Sequence, residues 1–107
     1  MARPEFATDL SREQFGKVRN MLETARRRTR PRKHDLYDVF CAVLYLLETG
    51  ASWRSVPPGF PPWRTVHEYF TQWTSSNGGQ PSLLETALRA VERPKAVARL
   101  QVLLSLR

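Results

Sequence analysis

The chain has 107 residues, of which 41% are hydrophobic and 25% are charged, as expected for one small soluble domain. Seventeen basic residues outnumber ten acidic ones, and the resulting formal charge of +7 favours a polyanionic partner. No apolar run approaches the roughly 20 residues of a membrane-spanning helix, and the one cysteine excludes an internal disulfide, so we expect a cytoplasmic protein.

A first amphipathic helix is predicted over residues 11–24, after ten residues that we expect to be disordered. Ser11 and Gln14 have the spacing of a capping box. Leu10 is placed to pack against Phe15 as a hydrophobic staple. The apolar residues that recur at helical spacing along this segment are Phe15, Val18 and Leu22.

A dense basic segment follows the first helix, and we call it the basic arm. Six of the eight residues 26–33 are basic, whereas the rest of the chain has eleven basic and ten acidic residues. Because like charges repel, the arm is expected to be exposed. It is either a solvated linker or nuclear-import-like patch, or a segment that follows nucleic-acid phosphates, which its arginine content favours. Its basic residues are Arg26, Arg27, Arg28, Arg30, Arg32 and Lys33.

The second predicted helix begins after Asp35, a favourable N-cap residue, and ends before Gly50, which can adopt the left-handed conformation of a helix end. Nearly all of its faces are apolar, so we expect it to be the central helix of the fold. Cys41 lies within this apolar run and is interpreted as a small core residue rather than a reactive thiol.

A tryptophan-bearing turn and a proline-rich connector follow Gly50. Residues 51–56 can form one or two helical turns, whereas residues 57–62 contain four prolines and cannot be helical. We expect a third helix to begin near Pro62. Its buried stripe is predicted to contain Trp63, Val66, Phe70 and Trp73, with Tyr69 beside them. Its outward positions are predicted to be Arg64, Thr65, His67, Glu68, Thr71, Gln72 and Thr74.

Two further segments complete a predicted all-α fold of about five helices. Ser82 and Glu85 mark the start of a helix over residues 82–92. Pro94 separates this helix from a leucine-rich C-terminal helix or tail, residues 93–107. No segment shows the alternation of a strand. We therefore expect a small helix-turn-helix bundle over residues 11–92, followed by the C-terminal segment.

The second helix, the connector and the third helix have the order in which a helix-turn-helix domain presents a recognition helix to the major groove of DNA. The outward side chains of the third helix suit base contacts, because arginine can bind guanine, glutamine adenine and glutamate cytosine. Threonine can contact phosphate or the thymine methyl group. The alternative is a polar solvent-exposed face, since three-helix arrangements are common in proteins that do not bind DNA.

Five segments resemble, in order and spacing, the N-terminal domain of insertion-element transposases of the IS5 type. The resemblance spans about residues 10–90. It implies a module that binds the terminal DNA of the mobile element, ahead of a ribonuclease-H-like catalytic domain. The segments that carry the resemblance are residues 10–15, 30–36, 50–57, 60–67 and 69–73.

The resemblance also implies which residues bind DNA. Family members usually carry several arginines along the third helix, where this chain has Glu68, Thr71 and Gln72. This departure implies weaker phosphate binding by the third helix, or a different partner. The residues with an implied DNA-binding role are Arg30, Arg32 and Lys33 in the arm and Arg54, Arg64 and Thr65 near the start of the third helix.

The acidic residues do not show the pattern of a catalytic metal site. Metal-dependent strand transfer needs carboxylates that converge on two divalent ions, whereas several acids here occupy capping or exposed helix positions. His34 and His67 lack partners at ligand spacing. In the family, the first catalytic aspartate follows the helix that corresponds to residues 82–92, and a leucine-rich segment stands there instead. We therefore predict a non-catalytic chain without a metal ion or cofactor.

These observations predict a nucleoid-associated module that binds double-stranded DNA with the basic arm and the third helix. The alternative is a domesticated transposase fragment that acts as a protein-interaction or inhibitory module. The charge-poor residues 66–73 and the apolar residues 97–106 motivate this alternative. The C-terminal segment would then mediate a homodimer or bind another protein.

Overall fold

The structure, a computed structural model, describes residues 10–23, 35–75 and 82–105. Within these ranges it contains five α-helices, one short 3-10 helix and no strand, which confirms the predicted all-α fold. Residues 1–9 of the predicted disordered N-terminus and the whole basic arm lie outside the described residues. The helices are α1 (Arg12–Glu23), α2 (Leu36–Thr49), α3 (Trp63–Thr74), α4 (Leu83–Ala90) and α5 (Pro94–Ser105), and the 3-10 helix is Trp53–Ser55.

The start of α1 has both local features that its sequence predicts. The Ser11 hydroxyl accepts a hydrogen bond from the backbone N–H of Gln14 at 3.0 Å. The Gln14 side chain in turn accepts one from the N–H of Ser11 at 3.1 Å. Leu10 and Phe15 are both buried in the core, as a hydrophobic staple requires.

α2 is the central helix, as its apolar sequence predicts. Ten of its 14 residues are buried, and it packs against α1, α3 and α5. The Asp35 side chain caps its start by accepting a hydrogen bond from the N–H of Tyr37 at 3.0 Å. Gly50 ends it in the left-handed conformation, with φ +74°, and donates its N–H to the carbonyl of Leu46. Cys41 is fully buried in this helix.

α4 and α5 complete the core. Ser82 caps α4 by accepting a hydrogen bond from the N–H of Glu85 at 3.1 Å. α4 ends at Ala90, before the predicted residue 92, because Glu92 adopts a left-handed conformation with φ +57°. α5 begins at Pro94, a residue that suits the first helical position, and packs against α2 and α4. The buried residues of α5 are Ala96, Val97 and Leu100.

Candidate nucleic-acid interface

α3 is buried on one side and exposed on the other. Its inner side packs against α2, α4 and the 3-10 helix, and Val66 and Phe70 are buried there. Trp73 is fully buried beside Phe40 of α2, with 6.1 Å between the ring centroids. The opposite side, which we call the polar face of α3, consists of the exposed residues Arg64, His67, Glu68, Thr71 and Gln72.

Two residues predicted to point outward differ from the polar face. Thr65 is half-buried. Thr74 is only 5% exposed, so its predicted outward position is wrong. Its hydroxyl donates a hydrogen bond to the carbonyl of Phe70 at 2.8 Å, which satisfies the buried polar group. Thr74 continues the row of Val66 and Phe70 at four-residue spacing, and this spacing is the sequence signal that indicates its inward position.

Trp53 holds the 3-10 helix against α3. Its ring lies edge to face with Phe70 and with His67, at 4.8 Å between centroids in each case. Trp53 also packs against the hydrophobic core. The connection between α2 and α3, residues 50–62, is longer than the three- or four-residue turn of a standard helix-turn-helix motif. The aromatic contacts of Trp53 therefore help to fix the position of α3, which a short turn fixes in a standard helix-turn-helix motif.

Arg54 and Arg64 meet at the indole ring of Trp63, and we call these three residues the Trp63 cluster. The guanidinium carbon of Arg54 lies 5.4 Å from the ring centroid, and that of Arg64 lies 5.6 Å from it. Both distances are within the range of cation–π contacts. Neither arginine forms an ion pair with a carboxylate of the described ranges. Two positive charges that no described carboxylate pairs with therefore lie at the N-terminal end of the polar face.

Trp63 does not occupy the position that the apolar stripe predicts. It is half-buried, and among the described residues it is not one of the hydrophobic side chains that pack against the core. At the first residue of α3, the stripe has passed the edge of the core, and two arginines flank the ring instead. Trp63 is not among the site residues that the sequence predicts. The arginine that directly follows it is the one local signal for such a role, since Arg54 reaches the ring only in the folded chain.

The backbone at the N-terminal end of α3 adds positive electrostatic potential to the same region. Pro62 occupies the N-cap, as the predicted helix start implies, and offers no side-chain hydrogen bond to the first turn. The first N–H groups of an α-helix have no partner within the helix, and the helix dipole concentrates positive potential there. This potential reinforces that of Arg54 and Arg64.

The rest of the polar face carries hydrogen-bonding groups of both kinds. The Thr71 hydroxyl donates to the carbonyl of His67 at 3.0 Å, so its oxygen remains able to accept a further hydrogen bond. The Glu68 carboxylate is an acceptor, and the Gln72 amide can both donate and accept. These groups have the chemistry needed to contact the edges of bases.

The structure brings together only part of the predicted site. Arg54, Arg64 and the polar face of α3 form one continuous region of the surface. The predicted site residues that lie outside the described ranges are Arg26, Arg27, Arg28, Arg30, Arg32 and Lys33. The position of the basic arm relative to α3 therefore stays a prediction.

The described ranges contain neither a metal-binding cluster nor a membrane-spanning helix. Among the residues that the structure describes, no three or more His, Cys, Asp or Glu side chains are grouped so that they could hold a metal ion. No helix in these ranges has both the length and the apolar character needed to span a membrane.

The fold and the polar face define a small all-α domain in which α3 has an exposed polar face, with positive charge at the N-terminal end of that helix. A family model with the description “Putative transposase of IS4/5 family (DUF4096)” matches residues 10–78. This range includes α1 to α3 and more than half of the chain, so the chain belongs to this IS4/5 transposase family. The resemblance seen in the sequence is thereby confirmed. No curated protein and no solved structure gives a significant match.

Proposed function

We propose that the chain is a non-catalytic module that binds double-stranded DNA, with the polar face of α3 in the major groove and the basic arm on the phosphates. The observation that carries the proposal is the exposed polar face, with Arg54 and Arg64 held at its N-terminal end. Membership of a transposase family supports the proposal, because transposases act on DNA.

The dimensions of α3 suit the major groove. Its 12 residues give a rod about 18 Å long, and the groove, about 12 Å wide, admits an α-helix. Recognition helices of helix-turn-helix proteins contact base edges mainly with their N-terminal residues. In this chain Glu68 lies in the second turn of α3 and Gln72 lies one turn further along, so both are placed for base edges. Arg64 lies in the first turn, at the end of the helix that faces the phosphates.

The charges indicate that different residues of this surface bind phosphates and recognise bases. Arg54 and Arg64 are placed to bind phosphates beside the groove, and phosphate contacts position a protein on DNA without reading its sequence. Glu68, Thr71 and Gln72 carry no positive charge, so their contribution is the recognition of bases. The basic arm, with six positive charges in eight residues, supplies most of the electrostatic affinity.

Fluorescence anisotropy with a short fluorescein-labelled DNA duplex tests the proposal. We expect saturable binding that weakens as the salt concentration rises, and weaker binding by Arg64→Gln. Arg89→Gln is the matched control, because Arg89 is also an exposed helical arginine but pairs with Glu85 on α4, at 3.1 Å. Undetectable binding, salt-independent binding, or equal losses in both variants would contradict the proposal.

A second candidate function is self-association through α5. Val102 and Leu103 are the exposed large hydrophobic residues among those described, with 51% and 38% of their surface accessible. Both lie in the last part of α5, beyond its buried residues. Exposed apolar residues that lie next to each other favour contact with another protein surface.

Gel filtration with light scattering tests this second candidate. Self-association predicts a dimer whose fraction falls when Val102 and Leu103 are both replaced by serine, since these changes leave the core of α5 intact. A wild-type chain that stays monomeric over the accessible concentration range would contradict it. The outcome is independent of DNA binding, because α3 and α5 present different surfaces.

A further inference from the structure

The environment of Trp63 differs from that of the other two tryptophans. Trp73 is fully buried in the core, and Trp53 packs against the core from the 3-10 helix. Among the described residues Trp63 alone of the three has no place in or against the core, although it is half-buried. A tryptophan has a large apolar surface that is usually covered in the core or at an interface. Its position outside the core calls for a role other than core packing.

The two neighbours of Trp63 are positively charged and come from different elements. Arg54 belongs to the 3-10 helix and Arg64 to α3, and their guanidinium carbons lie 5.4 and 5.6 Å from the ring centroid. Two like charges near one ring repel each other. That repulsion is relieved when an anion binds between or beside them.

The orientation of Arg64 is informative, because an acidic side chain is available one turn away. Glu68 lies four residues after Arg64, a spacing at which helical side chains of opposite charge often pair. No such ion pair is found in the described part of the chain. The Arg64 side chain extends towards Trp63 and the N-terminal end of α3 instead.

We infer that Trp63 is a positioning residue that holds Arg54 and Arg64 ready to bind phosphates of one DNA strand, an inference that rests on the proposed DNA-binding function. A guanidinium group can interact with a ring through its face and still offer its in-plane N–H groups to phosphate oxygens. The ring also limits the motion of both side chains before DNA arrives. Ordering one flexible side chain on binding reduces affinity a few-fold. Two side chains that are ordered before binding should therefore raise the affinity for DNA about tenfold.

Substitutions at Trp63 test this inference by fluorescence anisotropy with two short labelled duplexes of unrelated sequence. Trp63→Leu is expected to weaken binding about tenfold and equally on both duplexes, because phosphate contacts carry no sequence information. Trp63→Phe retains an aromatic face and is expected to restore most of the affinity. In the Arg54→Gln, Arg64→Gln double variant, Trp63→Leu is expected to have no further effect.

A structural role for Trp63 would give a different pattern. If Trp63→Leu weakens binding as much in the double variant as in the wild-type chain, the inference is wrong. It is also wrong if the wild-type chain binds DNA and Trp63→Leu binds equally well, and this result leaves the proposed function intact. If the wild-type chain does not bind either duplex, the proposed function and the inference both fail.

NMR of the wild-type chain provides a test that needs no folded variant. The Nε–H protons of Arg54 and Arg64 are expected to be displaced by the ring current of Trp63 relative to the Nε–H of an arginine in an unfolded peptide. Both signals should shift further when a duplex is added. Undisplaced signals in the free chain, or signals that do not respond to DNA, would overturn the inference.

Discussion

Arg12 and Asp35, which are 23 residues apart, form an ion pair in which Nη1 lies 3.0 Å from Oδ2. The Arg12 guanidinium also lies over the ring of Tyr37, 4.4 Å from its centroid. The Tyr37 hydroxyl donates a hydrogen bond to the carbonyl of Leu10 at 2.6 Å. These contacts join the start of α1 to the start of α2.

The contacts between the starts of α1 and α2 change the pKa of Asp35. Partial burial raises the pKa of its carboxyl, but the hydrogen bonds from the N–H of Tyr37 and from Arg12 outweigh this effect, and the pKa lies below its ordinary value. The charged carboxylate therefore stabilises the fold at pH values above the unfolded pKa. This stabilisation is lost as the pH falls through the lower folded pKa.

Asp35→Asn removes the charge and keeps an N-cap acceptor. We expect its free energy of unfolding at neutral pH to fall by up to about 1 kcal/mol, since the ion pair is partly exposed. The difference from the wild-type chain should narrow as the pH falls below about 4. Urea unfolding of both chains at neutral and acidic pH measures this difference in stability. In an Arg12→Gln background, the difference that Asp35→Asn makes at neutral pH should shrink. A difference that does not change with pH would show that the charge of Asp35 does not stabilise the fold.

Glu92→Gly should stabilise the chain. Glu92 has φ +57°, and a residue with a Cβ atom is strained in this left-handed conformation. It stands where α4 ends, with the N–H of Arg93 bonded to the carbonyl of Leu88 at 3.0 Å, and glycine is the preferred residue at such a position. Glycine should raise the free energy of unfolding by up to about 1 kcal/mol.

Glu92→Ala is the control for this gain, because it removes the same charge and keeps the strained Cβ atom. We expect little or no stabilisation from alanine. Thermal unfolding of the three chains at one pH compares them. Equal stability of the glycine and alanine variants would show that the backbone conformation of Glu92 is not strained.

The basic arm should dominate the salt dependence of DNA binding. If its six basic residues neutralise about six phosphates, they contribute about −5 to the slope of log affinity against log salt. Glutamine at all six positions should remove this contribution and most of the affinity. A control in which the five arginines become lysine keeps the charge and should keep the slope. A glutamine variant with the wild-type slope would rule out phosphate binding by the arm.

Gln72 should affect which sequence is bound more than how strongly DNA is bound. An amide on the polar face can form two hydrogen bonds with adenine, worth about 1–3 kcal/mol of discrimination. Gln72→Ala should therefore change the sequence selected from a pool of random duplexes and leave the salt slope unchanged. Thr74→Val, a change on the buried side of the same helix, should leave the selected sequence as it is. An unchanged selection by Gln72→Ala would place the base contacts elsewhere.

Most of the local structure was predictable because its causes are local. Ser11 and Asp35 cap helices through hydrogen bonds to residues two or three positions away, so their spacing is visible in the sequence. The same holds for Gly50, which bonds to a carbonyl four residues earlier. The central place of α2 follows from its apolar faces, because only a helix with neighbours on most sides buries them all.

The arrangement of the candidate site was less predictable. Periodicity gives the direction of a side chain around a helix axis, but it does not show where the neighbouring core ends. The spacing therefore places Trp63 in the buried stripe, although its ring lies beyond the core. The sequence also predicts an outward position for Thr74, whereas the structure buries this residue and supplies its hydroxyl with a backbone acceptor.

The helices, their caps, the excess of positive charge and the family all follow from the amino-acid sequence, since each depends on residue types and short spacings. That Arg54 and Arg64 share one indole ring is visible only in the folded chain. A proline-rich connector separates these arginines in sequence, and they meet because Trp53 packs between the core and α3. A contact of this kind depends on how separate elements pack, and packing is a property of the whole fold.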